Sequence, residues 1–318
     1  MAKYLVTGGA GFIGSHLAGQ LVAHGHSVRV LDDLSSGRRE NVPPDVSFIK
    51  GDVYDPDTVS GAFDGIDGCF HLAAIASVER SQRDWLRAHK VNLSGTITVL
   101  DAARRAQTGF GRTVPVVYAS SAAIYGDAGI SPISETTPAA PLSPYGLDKL
   151  GCEMYAAMAC RIYRVHTVGL RFFNIYGPRQ DPSSPYSGVV SIFLDRMRDQ
   201  TPYEIHGDGN QVRDFVFVDD AVRALQLAMA NVKADPQVVN VCTGAGTTVR
   251  QLGATIAALC GTEFAPQQKP SRQGDVRISL GDPQKAQQKL GFTARKSLSE
   301  GLAETLADQA NAIQVGAC

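Results

Sequence analysis

The chain has 318 residues, 44% of them hydrophobic, which is enough to bury a sizeable core in one large or two modest domains. Its 30 Lys+Arg residues nearly balance its 31 Asp+Glu residues, and no basic run could follow a phosphate backbone, so nucleic acid is excluded as a main partner. No stretch approaches the roughly 18 apolar residues of a membrane span. The N-terminus lacks a signal-peptide pattern and the six cysteines lack zinc-site spacing, so we expect a cytoplasmic protein with reduced thiols and no metal.

Short β-branched runs alternate with helical patterns over the first two-thirds of the chain. The predicted strands are Tyr4 to Thr7, Ser27 to Leu31, Val46 to Lys50, Gly68 to Leu72, Val114 to Ala119 and Thr167 to Arg171. The clearest predicted helices are Phe12 to Ala23, Asp84 to Ala106 and Pro144 to Tyr163. Repeated strand, helix and strand with short links indicates an α/β fold with a Rossmann-type, doubly wound parallel sheet.

Beyond Arg171 the pattern loosens into connections rich in Gly, Pro and Ser, which favours a second, smaller α/β lobe. Two later runs, Val212 to Val218 and Val238 to Cys242, could rejoin the sheet as strands. We therefore expect a first domain over residues 1–171, rejoined by residues 212–243, and a second lobe made of residues 172–211 and 244–318.

A glycine-rich loop follows the first predicted strand and opens the first predicted helix. Gly8, Gly11 and Gly14 have the spacing Gly-x-x-Gly-x-x-Gly. The first glycine permits a tight turn, the second lets the backbone approach a pyrophosphate, and the third allows close packing of helix on strand. Because the helix N-terminus also offers unpaired N–H groups to phosphates, this context predicts a dinucleotide site rather than a tight turn alone.

Acidic and small residues follow the next strands. Asp32 ends the second strand, where an acid bonds a ribose 2′-hydroxyl and repels a 2′-phosphate, so NAD is favoured over NADP and the first domain is predicted to bind NAD. Asp52 and Val53 follow the third strand and could hold the adenine. Ala73 follows the fourth strand and leaves room beside the pyrophosphate, although each of these positions alone is also compatible with an ordinary strand end.

Three side chains predict proton chemistry. Ser143 and Pro144 suit the start of a helix, on which Tyr145 and Lys149 share one face. A phenol keeps its proton near neutral pH unless its anion is stabilised, which a neighbouring ammonium group can do. A tyrosine and a lysine on a solvated helix would be the simpler interpretation, but Ser121 ends a hydrophobic strand at the same edge of the predicted sheet.

With these residues assembled, the chain resembles the extended short-chain dehydrogenase/reductase superfamily and, within it, the UDP-hexose 4-epimerases. The Gly-x-x-Gly-x-x-Gly spacing is that superfamily's own variant, and the match runs from Lys3 to about Pro283. The resemblance implies an isomerase with tightly bound NAD that acts on UDP-sugars.

The resemblance also assigns roles to individual positions. Cofactor contacts are implied for Gly8, Gly11, Phe12, Ile13, Asp32, Asp52, Val53, Ala73, Tyr145, Lys149 and Phe172. Ser121 matches the serine that orients the substrate hydroxyl, and Tyr145 matches the catalytic base. Substrate contacts are implied for Asn174, Val189, Val190, Arg213, Arg272, Asp275 and Ser279, with the arginines and Asn174 on the diphosphate, the valines and Asp275 on the uridine, and Ser279 near the sugar.

The implied reaction is oxidation of the sugar at C4 to a 4-keto sugar, rotation, and reduction on the opposite face. In these epimerases the position of Ser279 is a bulky tyrosine where only glucose and galactose forms react. Its small side chain implies that UDP-GlcNAc/UDP-GalNAc react as well as UDP-Glc/UDP-Gal.

Three other functions remain open at this level. A UDP-glucuronate 4-epimerase could use Arg80 or Arg179 against a sugar carboxylate. A nucleotide-sugar 4,6-dehydratase would need an acid pair where this chain has Ala122 and Ala123, and a non-catalytic NAD-sensing module would have less need of the tyrosine and lysine. The resemblance further implies a homodimer joined through the helices at Asp84 to Ala106 and Pro144 to Tyr163.

Overall fold

A computed structural model describes residues 1–181, 188–271 and 276–316. Its strands are β1 (Lys3–Thr7), β2 (Ser27–Asp32), β3 (Ser47–Lys50), β4 (Gly68–His71), β5 (Val116–Ser121), β6 (Thr167–Phe172), β7 (Asn174–Tyr176), β8 (Glu204–His206), β9 (Val212–Phe217), β10 (Gln237–Val241), β11 (Gly246–Thr248), β12 (Gln267–Lys269) and β13 (Ile278–Ser279). The six strands predicted from the sequence correspond to β1 to β6 with small shifts at their ends.

The α-helices are α1 (Phe12–Ala23), α2 (Pro56–Ala62), α3 (Val78–Arg83), α4 (Trp85–His89), α5 (Gly95–Phe110), α6 (Pro144–Tyr163), α7 (Val189–Arg198), α8 (Val218–Ala230), α9 (Val249–Cys260), α10 (Gln284–Leu290) and α11 (Leu298–Gly316). A π-helical segment, Lys90–Ser94, joins α4 to α5, so the predicted helix from Asp84 to Ala106 is one helical stretch with a widened turn. Short 3₁₀ helices cover Arg39–Asn41 and Ala122–Tyr125.

Seven parallel strands form the main sheet in the order β10-β6-β5-β4-β1-β2-β3. One face packs against α1 and α8, and the other against α2, α5 and α6, which confirms the predicted doubly wound fold. The chain leaves β1 towards β2 on one side and returns to β4 on the other. The crevice at this reversal, beyond the carboxyl ends of the strands, is where ligands bind in such sheets.

A four-stranded sheet formed by β7, β9, β11 and β13 and a two-stranded pair, β8 and β12, lie beyond β6 in the chain. Of the two runs expected to rejoin the main sheet, only Val238 to Cys242 does so, as β10. The run from Val212 to Val218 forms β9, which pairs with β7, β11 and β13 instead. That expectation needs correction because β10 already occupies the free edge of β6.

In the described part of the chain, no helix combines the length and apolar character needed to cross a membrane. The same ranges contain no group of three or more His, Cys, Asp or Glu side chains arranged to hold a metal ion.

Candidate active site

A cleft of about 1760 Å³ lies at the carboxyl ends of the main-sheet strands, between this sheet and residues of the two smaller sheets. It brings together most of the positions singled out from the sequence. Those lining it are Gly8, Gly11, Phe12, Ile13, Asp32, Asp52, Val53, Ala73, Ser121, Tyr145, Lys149, Phe172, Asn174, Val189, Arg213 and Ser279.

The glycine-rich loop forms part of the cleft wall. Gly8 has φ +69°, a left-handed conformation, and a Cβ added there would lie 2.7 Å from the backbone nitrogen of Ala73. Gly11 stands just before α1 as its N-cap, without a side chain to satisfy the first N–H groups of the helix. The loop therefore offers a cradle without side chains and a helix N-terminus, which fit the pyrophosphate of a dinucleotide.

Asp32 is anchored beside this loop. The residue is 6% exposed, and its carboxylate accepts hydrogen bonds from the backbone N–H groups of Ala10 at 2.9 Å and Leu34 at 2.8 Å. Burial raises the pKa of Asp32, and these two bonds oppose that effect. The carboxylate keeps lone pairs for further donors, so its fixed position fits the ribose hydroxyls of NAD.

His71 lies beneath the loop in a chain of hydroxyl groups. Its Nδ1 is 2.7 Å from the Thr7 hydroxyl and its Nε2 is 3.0 Å from the Thr96 hydroxyl. Because Thr96 donates its own proton to the Asn92 carbonyl at 2.6 Å, it accepts from Nε2–H, and Nδ1 accepts from Thr7. Burial, together with the charge of Lys149, lowers the pKa of His71 to about 3, so the ring is neutral.

Tyr145 and Lys149 occupy the first turns of α6. The Ser143 hydroxyl caps this helix by accepting from the Gly146 N–H at 3.1 Å. Lys149 is 4% exposed, donates to the Ala119 carbonyl at 2.8 Å, and lies 5.9 Å from the centre of the Tyr145 ring. The ammonium group is thus fixed between the end of β5 and the phenol.

Ser121 lies at the last position of β5 and caps the 3₁₀ helix that follows, accepting from the Ala123 N–H at 3.1 Å. This helix packs closely on α6, since a Cβ added to Gly146 would lie 2.6 Å from the Ala123 carbonyl oxygen. The close approach brings the serine segment and the tyrosine helix to the same part of the cleft.

Residues of β7 and β9 form another wall of the cleft. Asn174 donates to the Asp214 carbonyl at 3.1 Å, and Arg213 donates to the carbonyls of Val212 at 2.9 Å and Val276 at 2.7 Å. The Asp214 side chain is fully buried. It accepts hydrogen bonds from the backbone N–H of Thr243 at 2.8 Å and from the Thr243 hydroxyl at 2.7 Å, and these bonds hold the turn at Thr243. These contacts fix the backbone that carries the amide and the guanidinium into the cleft.

Some expected positions differ from this picture. Val190 is 2% exposed and packs in the core, because successive residues of α7 point about 100° apart and only Val189 faces the cleft. Arg272 and Asp275 lie outside the described residues.

Other cleft residues had no signal in the sequence. Glu204 and Gln267 line the cleft, and the pairing of β8 with β12 sets them opposite each other. Arg196, on α7, also lines the cleft. Their separation along the chain, without a shared motif, hides their proximity until the strands are paired.

The model of the NAD dependent epimerase/dehydratase family matches residues 4–242. A UDP-glucose 4-epimerase of Mycolicibacterium smegmatis is 40% identical over 311 residues, covering 96% of this chain and 97% of the relative.

Two solved structures are similar along nearly their whole length. The UDP-glucose 4-epimerase of Thermotoga maritima with UDP-glucose has 41% identity and a TM-score of 0.93, with 98% of this chain and 99% of that chain covered. The UDP-N-acetylglucosamine 4-epimerase of Methanobrevibacter ruminantium in complex with UDP-N-acetylmuramic acid has 32% identity and a TM-score of 0.92, with the same coverage.

Proposed function

The chain belongs to the NAD-dependent epimerase/dehydratase family, and from this premise we propose that it interconverts UDP-hexoses that differ in configuration at C4. The observation that carries the proposal is the single cleft that joins the glycine loop, the set Ser121, Tyr145 and Lys149, and the wall at Asn174 and Arg213. In this proposal residues 1–171 chiefly bind NAD and the second lobe binds the UDP-sugar.

NAD fits the first part of the cleft through the cradle at Gly8 and Gly11 and the anchored carboxylate of Asp32. Asp52 and Val53 would border its adenine, and Phe172 its nicotinamide. When bound, NAD supplies the hydride acceptor and donor that C4 oxidation and reduction require.

The protein's own residues handle the proton. Tyr145 takes the proton of the sugar 4-hydroxyl and later returns it, while Lys149, fixed by the Ala119 carbonyl, stabilises the phenolate through its positive charge. Ser121 orients the 4-hydroxyl by a hydrogen bond. Strong contacts to the diphosphate from Arg213 and Asn174 would retain UDP while the sugar ring turns over.

The proposal is tested by denaturing the purified protein, identifying the released nucleotide, and assaying the native enzyme on a panel of UDP-sugars. We expect NAD and interconversion of C4 epimers, with Tyr145→Phe retaining the nucleotide and losing the activity. Release of NADP, or absence of a tightly held nucleotide, would contradict the assignment of Asp32.

We further propose that the enzyme accepts 2-N-acetyl sugars. Ser279 lines the cleft and stands opposite Arg213 in the β13 and β9 register, so its side chain borders the sugar-diphosphate region in this proposal. A small side chain there leaves space for an N-acetyl group.

Ser279→Tyr should remove the UDP-GlcNAc/UDP-GalNAc interconversion and retain that of UDP-Glc/UDP-Gal, because the added ring fills the space. Coupled assays with both pairs provide the measurement, and Ser279→Ala is the matched control that should keep both activities. A native enzyme without the N-acetyl activity would refute the proposal.

The other activities receive less support. Neither Arg80 nor Arg179, the candidate partners of a uronate, is among the described residues lining the cleft, and Arg179 contacts the Ser15 hydroxyl at 3.3 Å. Ala122 and Ala123 do line it and supply no acid for a 4,6-dehydratase. Assays with UDP-glucuronate and with dTDP-glucose in the same panel would detect either alternative.

We also propose a homodimer joined through α6 and the α4–α5 stretch. Leu147, Met154 and Ile162 are 61%, 67% and 65% exposed along one side of α6, and Trp85 and Leu86 are 66% and 85% exposed on α4. Exposed apolar side chains concentrated on two neighbouring helices are typical of a protein interface.

Cytoplasmic localisation is likewise proposed. Its support is the free state of Cys69, Cys152, Cys160, Cys242 and Cys260, the first four of which are buried. Fractionation of the source cells, with the activity assayed in each fraction, tests it.

A further inference from the structure

Glu153 is a buried carboxylate on α6, one helical turn beyond Lys149. It is 7% exposed, and it accepts a hydrogen bond from the Ser120 hydroxyl at 2.5 Å. Two nitrogens of the Arg171 guanidinium, Nε and Nη2, donate to its two oxygens at 2.9 and 2.7 Å. Glu153 thus joins the ends of β5 and β6 to α6 through the paired geometry that arginine forms with a carboxylate.

Each partner of Glu153 directly precedes a residue of the cleft. Ser120 is followed by Ser121, and Arg171 is followed by Phe172. Because successive side chains of a strand point to opposite faces, Arg171 reaches α6 while Phe172 faces the cleft. A shift of the Glu153 carboxylate would therefore move Ser120 and Arg171 and, with them, the adjacent cleft residues Ser121 and Phe172.

Arg171 extends the connection to the other side of the serine segment. Its Nη1 donates to the Tyr125 hydroxyl at 2.8 Å, and that hydroxyl donates to Asn240 at 2.7 Å. Tyr125 ends the 3₁₀ helix that Ser121 caps. Burial alone would lower the pKa of Arg171, but the hydrogen bonds that its guanidinium donates to Glu153 raise the pKa above its ordinary value, so the guanidinium remains charged.

Stability alone gives little reason for such a cluster, since a buried ion pair generally adds no more to stability than a well-packed apolar pair. Geometry gives a better reason. Misplacing a catalytic group by about 1 Å can cost roughly 100-fold in rate.

We propose that Glu153 is a positioning residue that fixes the position of Ser121 relative to Tyr145 and Lys149. Through Ser120 and Arg171 it fixes the ends of β5 and β6 relative to the helix that carries the base. The inference rests on the proposed function for its kinetic consequence, while its structural consequence can be measured separately.

The kinetic test is Glu153→Gln, which keeps the size of the side chain and replaces one acceptor with a donor that faces Arg171. We expect kcat to fall about 10- to 100-fold, with KM for the UDP-sugar changed less than about 3-fold. The control is Asp220→Asn, a buried carboxylate of α8 that Arg223 contacts at 2.8 Å, away from the cleft. It should lower Tm and leave kcat per folded enzyme unchanged.

Ser120→Ala is a milder second variant, for use if Glu153→Gln does not fold. It removes one hydrogen bond to Glu153 and should lower kcat about 3- to 10-fold, again with little change in KM. A kcat equal to that of the native enzyme would overturn the proposal.

Crystal structures of the native protein and a folded variant, both with UDP, give a readout that does not depend on turnover. The distance between Ser121 Oγ and Tyr145 Oη should change in the variant, and an unchanged distance would overturn the positioning role. If the native enzyme fails on every UDP-hexose, the proposed function fails, while this distance still decides the role of Glu153.

Discussion

Replacement of Gly8 tests the NAD cradle proposed for the glycine-rich loop. Two separate effects oppose a side chain there: its positive φ, and the Ala73 backbone nitrogen 2.7 Å from where a Cβ would stand. Gly25 has φ +78° but open space around its Cβ position, so it isolates the first effect.

We expect Gly8→Ala to abolish copurification of NAD and to lower the free energy of unfolding by more than Gly25→Ala does. Gly25→Ala should cost about 1 to 2 kcal/mol for its left-handed backbone and should retain NAD. The measurements are nucleotide content by absorbance after denaturation and urea unfolding of both variants. Equal NAD content in the two variants would refute the steric argument.

His71 should make stability sensitive to acid. Its pKa in the folded protein, about 3, lies below its ordinary value of 6.5, so unfolding takes up a proton between these values. The stability contributed by the neutral ring is present above pH 6.5 and is lost as the pH falls towards 3.

His71→Gln should therefore lose less stability than the native protein as the pH falls from 6.5 to 3. The number of protons taken up on unfolding, which sets the slope of the unfolding free energy against pH, should be smaller by about one in this variant. Urea unfolding at several pH values gives the slopes. Parallel slopes for native protein and His71→Gln would contradict the buried, neutral state of His71.

Residue types predicted much of the candidate site. The tyrosine, the lysine four residues later and the serine at a strand end could be proposed as one set because each lies next to a recognisable element boundary. The contacts of Glu153 with Ser120 and Arg171 could not be predicted in this way, because these partners on β5 and β6 meet only when the parallel strands align in register.

At the scale of elements, α6 illustrates how local signals determine a helix. Ser143 and Pro144 begin it where the sequence predicted, and its end at Tyr163 was also predicted correctly. The C-cap, Arg164, has φ 59°, a left-handed conformation that favours glycine.

Arg164→Gly should stabilise the protein by about 1 kcal/mol, because this exposed side chain strains a left-handed backbone. Thermal unfolding should show a Tm higher by about 2 °C. Arg161→Gly, inside the last turn of the same helix, should instead lower Tm through the poor helix propensity of glycine. A lower Tm for Arg164→Gly would mean that its side chain makes a compensating contribution.

The strand β9 illustrates where element patterns fail. Its valine and phenylalanine residues are typical of a strand and predict one here, but they do not predict the sheet to which the strand belongs. Pairing depends on which edges are free, and the edge of β6 is taken by a strand that comes later in the chain.

At the scale of the whole molecule, the exposed apolar side of α6 bears on assembly. Leu147→Glu with Met154→Glu should convert the proposed dimer to a monomer, since two buried charges per subunit would need desolvation. Light scattering after gel filtration measures the mass.

Ile130→Glu provides the matched control for the proposed interface. Ile130 is 57% exposed and belongs to none of the helices α4, α5 and α6, so this variant should remain dimeric. A native protein that is monomeric at all concentrations, or a dimeric double variant, would refute the proposed interface.

The sequence by itself determined the α/β class, the parallel strands β1 to β6 and the glycine loop, because hydrophobic periodicity, caps and turn residues are local signals. Only the tertiary structure decided the membership of β9 and β10 in different sheets, the turning of Val190 into the core, and the bonds that Glu153 and His71 form. These depend on strand order and on which face of a helix is buried. Such contacts join residues that are far apart in the chain, and local pattern carries no record of them.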